Sequence, residues 1–155
     1  MSPEQKMLVK QTWQQVVPIA DTAARLFYDR LFETDPTARA LFNATDLTEQ
    51  RRKLIQALTT VVRGIDDLEG LVPTLAELGR RHAQYGVANG QYDTVGAAFL
   101  WTLEQGLGSA WTPQVKAAWS DAYAIVAGVM RGATNEPQAK FDDEANRSIQ
   151  QVPSL

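Results

Sequence analysis

Apolar residues recur along this chain at intervals of three and four, the period of one face of a helix, and no segment alternates at the period of two that a half-buried strand needs. Ser2-Pro3-Glu4-Gln5 has the form of a helix start: a capping hydroxyl, proline at the first helical position, and glutamine three residues after the cap. A first helix is predicted from Pro3 to Val17, where Pro18 breaks the backbone ladder. A second runs from Ile19 to Thr34, with Ala20, Ala23, Ala24, Phe27, Leu31 and Phe32 on one face and Asp35-Pro36 as its stop. A short helical piece, Pro36 to Leu41, leads into a polar corner at Asn43 to Asp46, and Asp46-Leu-Thr-Glu49 reads as a second capping box, opening a helix that lasts to Gly64. Helical periodicity resumes from Asp67 to His82, with Pro73 marking where the regular part starts, and Gly86 and Asn89-Gly90 act as breakers. Helices from Gln91 to Leu107, and from Pro113 to Arg131 between a Thr112 cap and Gly132, complete the pattern. The expected fold class is all-α, six or seven helices with short connections.

After Ala133 the pattern fades. Thr134 to Leu155 holds two prolines, the acidic run Asp142-Asp143-Glu144 and few large apolar residues. The expected organisation is one domain over 1–133 followed by a polar, disordered tail over 134–155, in which Ala139 to Ile149 could form at most a weak helix.

Three of the apolar stripes carry one polar residue each. Leu68, Leu71, Val72, Leu75, Leu78 and Gly79 are continued at the same period by His82, the sole histidine of the chain. Leu47, Leu54, Ala57, Leu58, Val61 and Ile65 share their face with Gln50, and Tyr28 lies four residues from both Ala24 and Phe32. A buried polar group without a partner costs roughly 1–3 kcal/mol, so three on inward faces need an explanation. Either each is satisfied separately by backbone or water, or the three surround a bound group, with Gly79 and Gly96 permitting its close approach.

Composition narrows what that group can be. At 155 residues, 45% apolar and 21% charged, the chain is an ordinary globular one, long enough to bury a core. With 15 basic against 18 acidic residues it lacks the electrostatic footprint of a nucleic-acid binder. Its longest apolar run, Ala122 to Met130, ends at charges on both sides and is too short for a membrane span, and Met1 to Leu8 lacks the apolar core of a secretion signal, so a cytoplasmic protein is expected. Without cysteine there is no thiolate site and no disulfide, and zinc would need more ligands than one histidine supplies. No G-x-S-x-G elbow is present, and Gly106-Leu-Gly108 has neither a third glycine nor a preceding strand for a dinucleotide loop. A cofactor that brings most of its own coordination sphere needs one protein ligand, and haem meets that condition with an axial imidazole. The reading in which each polar residue is satisfied separately stays open beside it.

Longer stretches carry a resemblance. Phe27-Tyr-Asp-Arg-Leu-Phe32, Pro36, Leu41-Phe42, Gln50-Arg-Arg-Lys-Leu54, Gly64-Ile-Asp-Asp-Leu-Glu-Gly-Leu71, Leu78-Gly-Arg-Arg-His-Ala-Gln-Tyr-Gly-Val87, Tyr92-Asp-Thr-Val-Gly96 and Ala117-Ala-Trp-Ser-Asp-Ala-Tyr123 resemble, in order and spacing, the globins. The similarity is greatest to bacterial single-domain relatives of the flavohaemoglobin globin domain, and extends to neuroglobin. It covers Ser2 to Ala133 and implies a globin fold around haem b. Carried over by position, His82 is similar to the iron ligand on the proximal side, and Tyr28 and Gln50 match the pair on the distal side that act on a bound ligand. Phe42 matches the phenylalanine on the haem face, and Leu54 the apolar wall of the same pocket. Tyr92 resembles the tyrosine that contacts the proximal histidine, with Glu136 as its acidic partner, while Lys53 and Arg81 stand where haem propionates could be reached. Phe99 departs from the pattern: the relatives have leucine there, and the larger ring either narrows the distal cavity or packs outward.

The resemblance implies dioxygen, nitric oxide or carbon monoxide as ligands. A phenol beside bound dioxygen donates a charge-assisted hydrogen bond worth roughly 1.5–3 kcal/mol, about 10- to 100-fold in affinity. Two roles follow. One is tight dioxygen binding as a store or a gas-sensor input, and the other is detoxification of nitric oxide to nitrate, for which a separate reductase would be required. A haem-free helical interaction module is the third reading.

Overall fold

The computed structural model describes residues 1–42 and 46–133. The corner residues 43–45, the expected tail and Glu136 lie outside the described residues. Helix α1 (Pro3–Val16) begins as the sequence predicts: the Gln5 amide donates to Ser2 Oγ at 3.1 Å and the Ser2 amide to Gln5 Oε1 at 3.0 Å. Pro18 ends the regular ladder in a single 3₁₀ turn, Val17–Ile19, and α2 (Ala20–Thr34) follows without a loop. Asp35 closes α2 and caps α3 (Pro36–Ala40), its carboxylate accepting from the Thr37 amide at 3.1 Å.

Helix α4 (Leu47–Arg63) starts on Asp46, whose carboxylate accepts from the Thr48 amide at 2.9 Å and from the Glu49 amide at 3.5 Å. Only this half of the expected capping box forms; Glu49 turns instead to Arg52, one turn along the same exposed face. The guanidinium holds the Glu49 carboxyl below its usual range. After Gly64 and a 3₁₀ turn at Ile65–Asp67, α5 (Leu68–Gln84) runs unbroken through Pro73, which does not mark its start as expected. Proline removes the hydrogen bond that would reach the Glu69 carbonyl, and because both residues are on the exposed face, that carbonyl stays open to solvent. Val72, an expected member of the apolar stripe, stands at its edge and is 42% exposed. Helix α6 (Gln91–Leu107) has its predicted bounds, and α7 (Pro113–Ala133) starts where Thr112 Oγ1 accepts from the Val115 amide at 3.2 Å.

The most extensive packing is of α5 on α7, α2 on α6 and α1 on α7. Gly79 makes the first of these possible, since a Cβ there would sit 2.3 Å from the Met130 carbonyl oxygen, inside contact distance with rigid backbone. Across α1 and α7, Trp119 Nε1 donates to Thr12 Oγ1 at 2.8 Å, while the Trp13 and Trp119 rings pack 6.1 Å apart. Helices α4 and α5, although joined by a single turn, share no extensive contact, and a cleft lies between them.

Candidate functional site

That cleft leads into a cavity of about 600 Å³, within the range of small-molecule and cofactor pockets. Leu54, Leu58 and Val61 of α4 form one side of it, Leu71, Leu75, Leu78, Arg81 and His82 of α5 the other, and Phe27 reaches in from α2. Tyr92, Val95 and Phe99 of α6 join Trp119, Tyr123 and Met130 of α7 at its inner end. The exposed Thr60, Pro73 and Thr74 mark the mouth. The walls are overwhelmingly apolar, so a group held here is shielded from water and meets few polar atoms.

His82 is one of those few. Its residue is 0% exposed, and Nδ1 lies 2.7 Å from the Leu78 carbonyl oxygen one turn earlier on α5. A carbonyl can only accept, so Nδ1 carries a proton, and in the neutral form of the ring the lone pair is on Nε2. The arrangement orients an imidazole as a metal ligand, with a backbone carbonyl fixing tautomer and ring plane. Among the described residues no cluster of three His, Cys, Asp or Glu side chains is placed to hold a metal ion. The donor set therefore fits a metal that brings its other ligands with it.

Beside His82, Glu77 pairs with two guanidiniums, Arg80 at 3.1 Å and Arg81 at 3.2 Å, and both Glu77 and Arg81 line the cavity. Tyr92 presents a buried hydroxyl with no hydrogen-bond partner among the described residues, and burial pushes its phenol up from the ordinary value, with Arg131 above the ring opposing the shift. Tyr123 donates its hydroxyl to the Tyr92 carbonyl oxygen at 2.6 Å, and burial raises its pKa strongly as well. Gly96 makes room for the Tyr123 ring, because a Cβ there would lie 2.6 Å from Cε2. Both small residues of the sequence reading, Gly79 and Gly96, thus admit parts of α7, and the close approach expected of a bound group is made by the protein itself.

The remaining sequence-predicted residues form a second layer. Tyr28 is 2% exposed, and its ring packs against Phe27 at 5.0 Å, Phe42 at 5.7 Å and Phe32 at 5.9 Å. Gln50 is 1% exposed on α4, one turn before the cavity-lining Leu54. Tyr28, Phe42 and Gln50 are buried on the α2–α4 side without lining the cavity, whereas Leu54, Arg81, His82 and Tyr92 line it. Lys53 is half-buried on α4, is not part of the lining, and has no ion-pair partner among the described residues. Sequence reasoning overlooked α7 as a wall of the site. Trp119, Tyr123, Val126, Ala127 and Met130 repeat at helical spacing, and that stripe is the signal by which the wall could have been found. Phe99, left undecided, points into the cavity lining and packs on Trp119 and Tyr123.

Comparison with known proteins identifies the family. The globin family model matches residues 25–130. The chain is 28% identical over 140 residues to the flavohemoprotein of Bacillus subtilis (strain 168), covering 89% of this chain and 35% of the relative. It is 27% identical over 147 residues to the flavohemoprotein of Rhizobium meliloti (strain 1021), covering 94% and 36%. With the neuroglobin of Chaenocephalus aceratus it shares 29% over 143 residues, covering 84% and 90%. The chain thus spans about a third of the length of the flavohemoproteins it matches and most of the neuroglobin. No helix among the described residues is long and apolar enough to cross a membrane.

Proposed function

The chain belongs to the globin family, which holds haem and binds gaseous ligands at it, and from that premise we propose that the cavity between α4 and α5 takes haem b and that the protein binds dioxygen there with high affinity. The observation that carries this reading is the 2.7 Å contact between His82 Nδ1 and the Leu78 carbonyl, in an apolar cavity of about 600 Å³. Haem would supply the iron, four of its ligand nitrogens and the open coordination position for dioxygen, nitric oxide or carbon monoxide.

The chain's own residues divide the rest of the task. His82 would hold the iron through Nε2, and its hydrogen bond to a backbone carbonyl would make that nitrogen a better donor. Phe27, Leu54 and Leu58 exclude water. Tyr28 and Gln50, buried one layer behind the lining residues Phe27 and Leu54, would reach a gaseous ligand held on their side: the phenol would offer it a hydrogen bond, and the Gln50 amide would either add a second or orient the phenol. Arg81 at the lining would meet the carboxylates of such a group and Tyr92 would brace His82 from α6, while Phe42 and Lys53, outside the lining, would come to face and rim only once the group is seated. Such a site releases dioxygen slowly, a poor property for a transporter and a suitable one for a scavenger, store or sensor input.

The same ligand chemistry supports conversion of nitric oxide to nitrate. Nitric oxide and dioxygen with one electron balance to one nitrate ion, and a reductase must return that electron in each cycle. Purification with haem supplied tests the first claim, and spectra of the ferric, ferrous and dioxygen- or carbon monoxide-treated protein should show a Soret band that moves with each addition. Absence of the band ends the haem reading. Multiple-turnover consumption of nitric oxide with a reductase present supports the enzyme, whereas consumption that stops at one equivalent leaves a store or sensor.

A further inference from the structure

The inner end of the cavity is an aromatic wall of Phe99, Trp119 and Tyr123, and its three rings are held in different ways. Trp119 is tied to α1 by the 2.8 Å bond to Thr12 and by the Trp13 ring. Tyr123 is tied to α6 by its 2.6 Å bond to the Tyr92 carbonyl and by the gap left at Gly96. The Phe99 ring has no hydrogen-bonding group to tie it and is held by packing, edge-on to Trp119 at 5.5 Å and tilted against Tyr123 at 6.2 Å. If the Phe99 ring were shortened, Trp119 and Tyr123 could not follow it inward without breaking those bonds. The space would stay as a void, since the outcome of a large-to-small change depends on how freely the surroundings collapse.

From this we infer that Phe99 is a specificity-determining residue: its ring sets the inner boundary of the cavity, and with it the room open to a small apolar ligand that has left the iron. The inference rests on the haem reading for its ligand but not for its geometry. With Phe99 in place, its ring fills the space into which a diatomic gas released inside the cavity would otherwise retreat, which favours quick recapture. A cavity of this kind stays dry and accepts apolar gas atoms, because it is lined by carbon.

The test compares wild-type protein with Phe99→Leu and Phe99→Ala, with Leu100→Ala as a control on the same helix outside the lining. After photolysis of the carbon monoxide complex, the two Phe99 variants should recapture ligand several-fold more slowly, Ala more than Leu, and xenon pressure should restore the faster phase. Leu100→Ala should behave as wild type. Xenon uptake followed by ¹²⁹Xe NMR supplies a readout that needs no haem: a new bound population in Phe99→Ala supports the inner-boundary role even if no Soret band forms. Unchanged xenon uptake in Phe99→Ala, or recapture in both variants equal to wild type, overturns the inference while leaving the haem reading intact. Should Phe99→Ala fail to fold, Phe99→Leu decides by the same two measurements.

Discussion

The two sides of the cavity are built on different physical grounds. On the α5–α7 side, polar groups are fixed by backbone: His82 by the Leu78 carbonyl, Tyr123 by the Tyr92 carbonyl, and the helix pair itself by the absence of a side chain at Gly79. On the α2–α4 side, Tyr28 lies in a cluster of phenylalanines and Gln50 on an amphipathic face, so position follows from side-chain packing. Backbone acceptors cannot be repacked, and aromatic clusters can. On the proposed reading, the first side would serve an invariant duty, holding a metal, and the second an adjustable control of what that metal binds.

The strongest test of this contrast is His82→Gly. It should abolish or sharply weaken the Soret band, and added imidazole should restore it if the ring acts as ligand rather than as packing. Next is Tyr28→Phe, which keeps the ring stack and removes only the donor. Stopped-flow dioxygen dissociation should accelerate by about 10- to 100-fold, the equivalent of roughly 1.5–3 kcal/mol, with thermal stability nearly unchanged. Equal off-rates in variant and wild type would remove Tyr28 from the ligand-binding machinery.

Gly79→Ala addresses the fixed side alone. Its methyl group must push α5 from the Met130 backbone, and overpacking of this kind costs about 1–3 kcal/mol, read as a lower midpoint in thermal or urea unfolding. A variant as stable as wild type would mean that the two helices can part without penalty. The smallest effect belongs to Tyr123→Phe, which loses one hydrogen bond, about 0.5–1.5 kcal/mol. The pH dependence adds a second readout. Burial raises the pKa of both Tyr92 and Tyr123 above the ordinary 10.0, so on unfolding these phenols ionise more readily. Above about pH 10 the unfolded chain binds fewer protons than the native one, and stability falls as pH rises; below that it is fully present. Tyr123→Phe should flatten that alkaline decline in urea midpoints, and an unaltered slope would contradict the assignment.

Much of this site could be read from local pattern. The Ser2 cap, the bounds of α6 and the inward registers of Tyr28, Gln50 and His82 follow from helical period and capping chemistry, which act within a few residues of chain. Where the reading went astray, a longer-range effect intervened. Pro73 is tolerated inside α5 because the face it interrupts meets water, and Glu49 prefers Arg52 to its own helix end. The glycines at 79 and 96 signalled close approach, but only the packed helices reveal that α7 fills the space.

The sequence by itself determined an all-α chain whose single imidazole faces inward at the end of an apolar stripe, because helical period alone assigns residues to faces. What occupies the far side of each face was decided only in the tertiary structure. There, α4 and α5 diverge to open the cavity, α7 supplies its inner wall, and Phe99 closes it against rings anchored to α1 and to the backbone of its own helix, α6. Those contacts join residues far apart in the chain, so no local pattern encodes them; they exist only once the helices have packed.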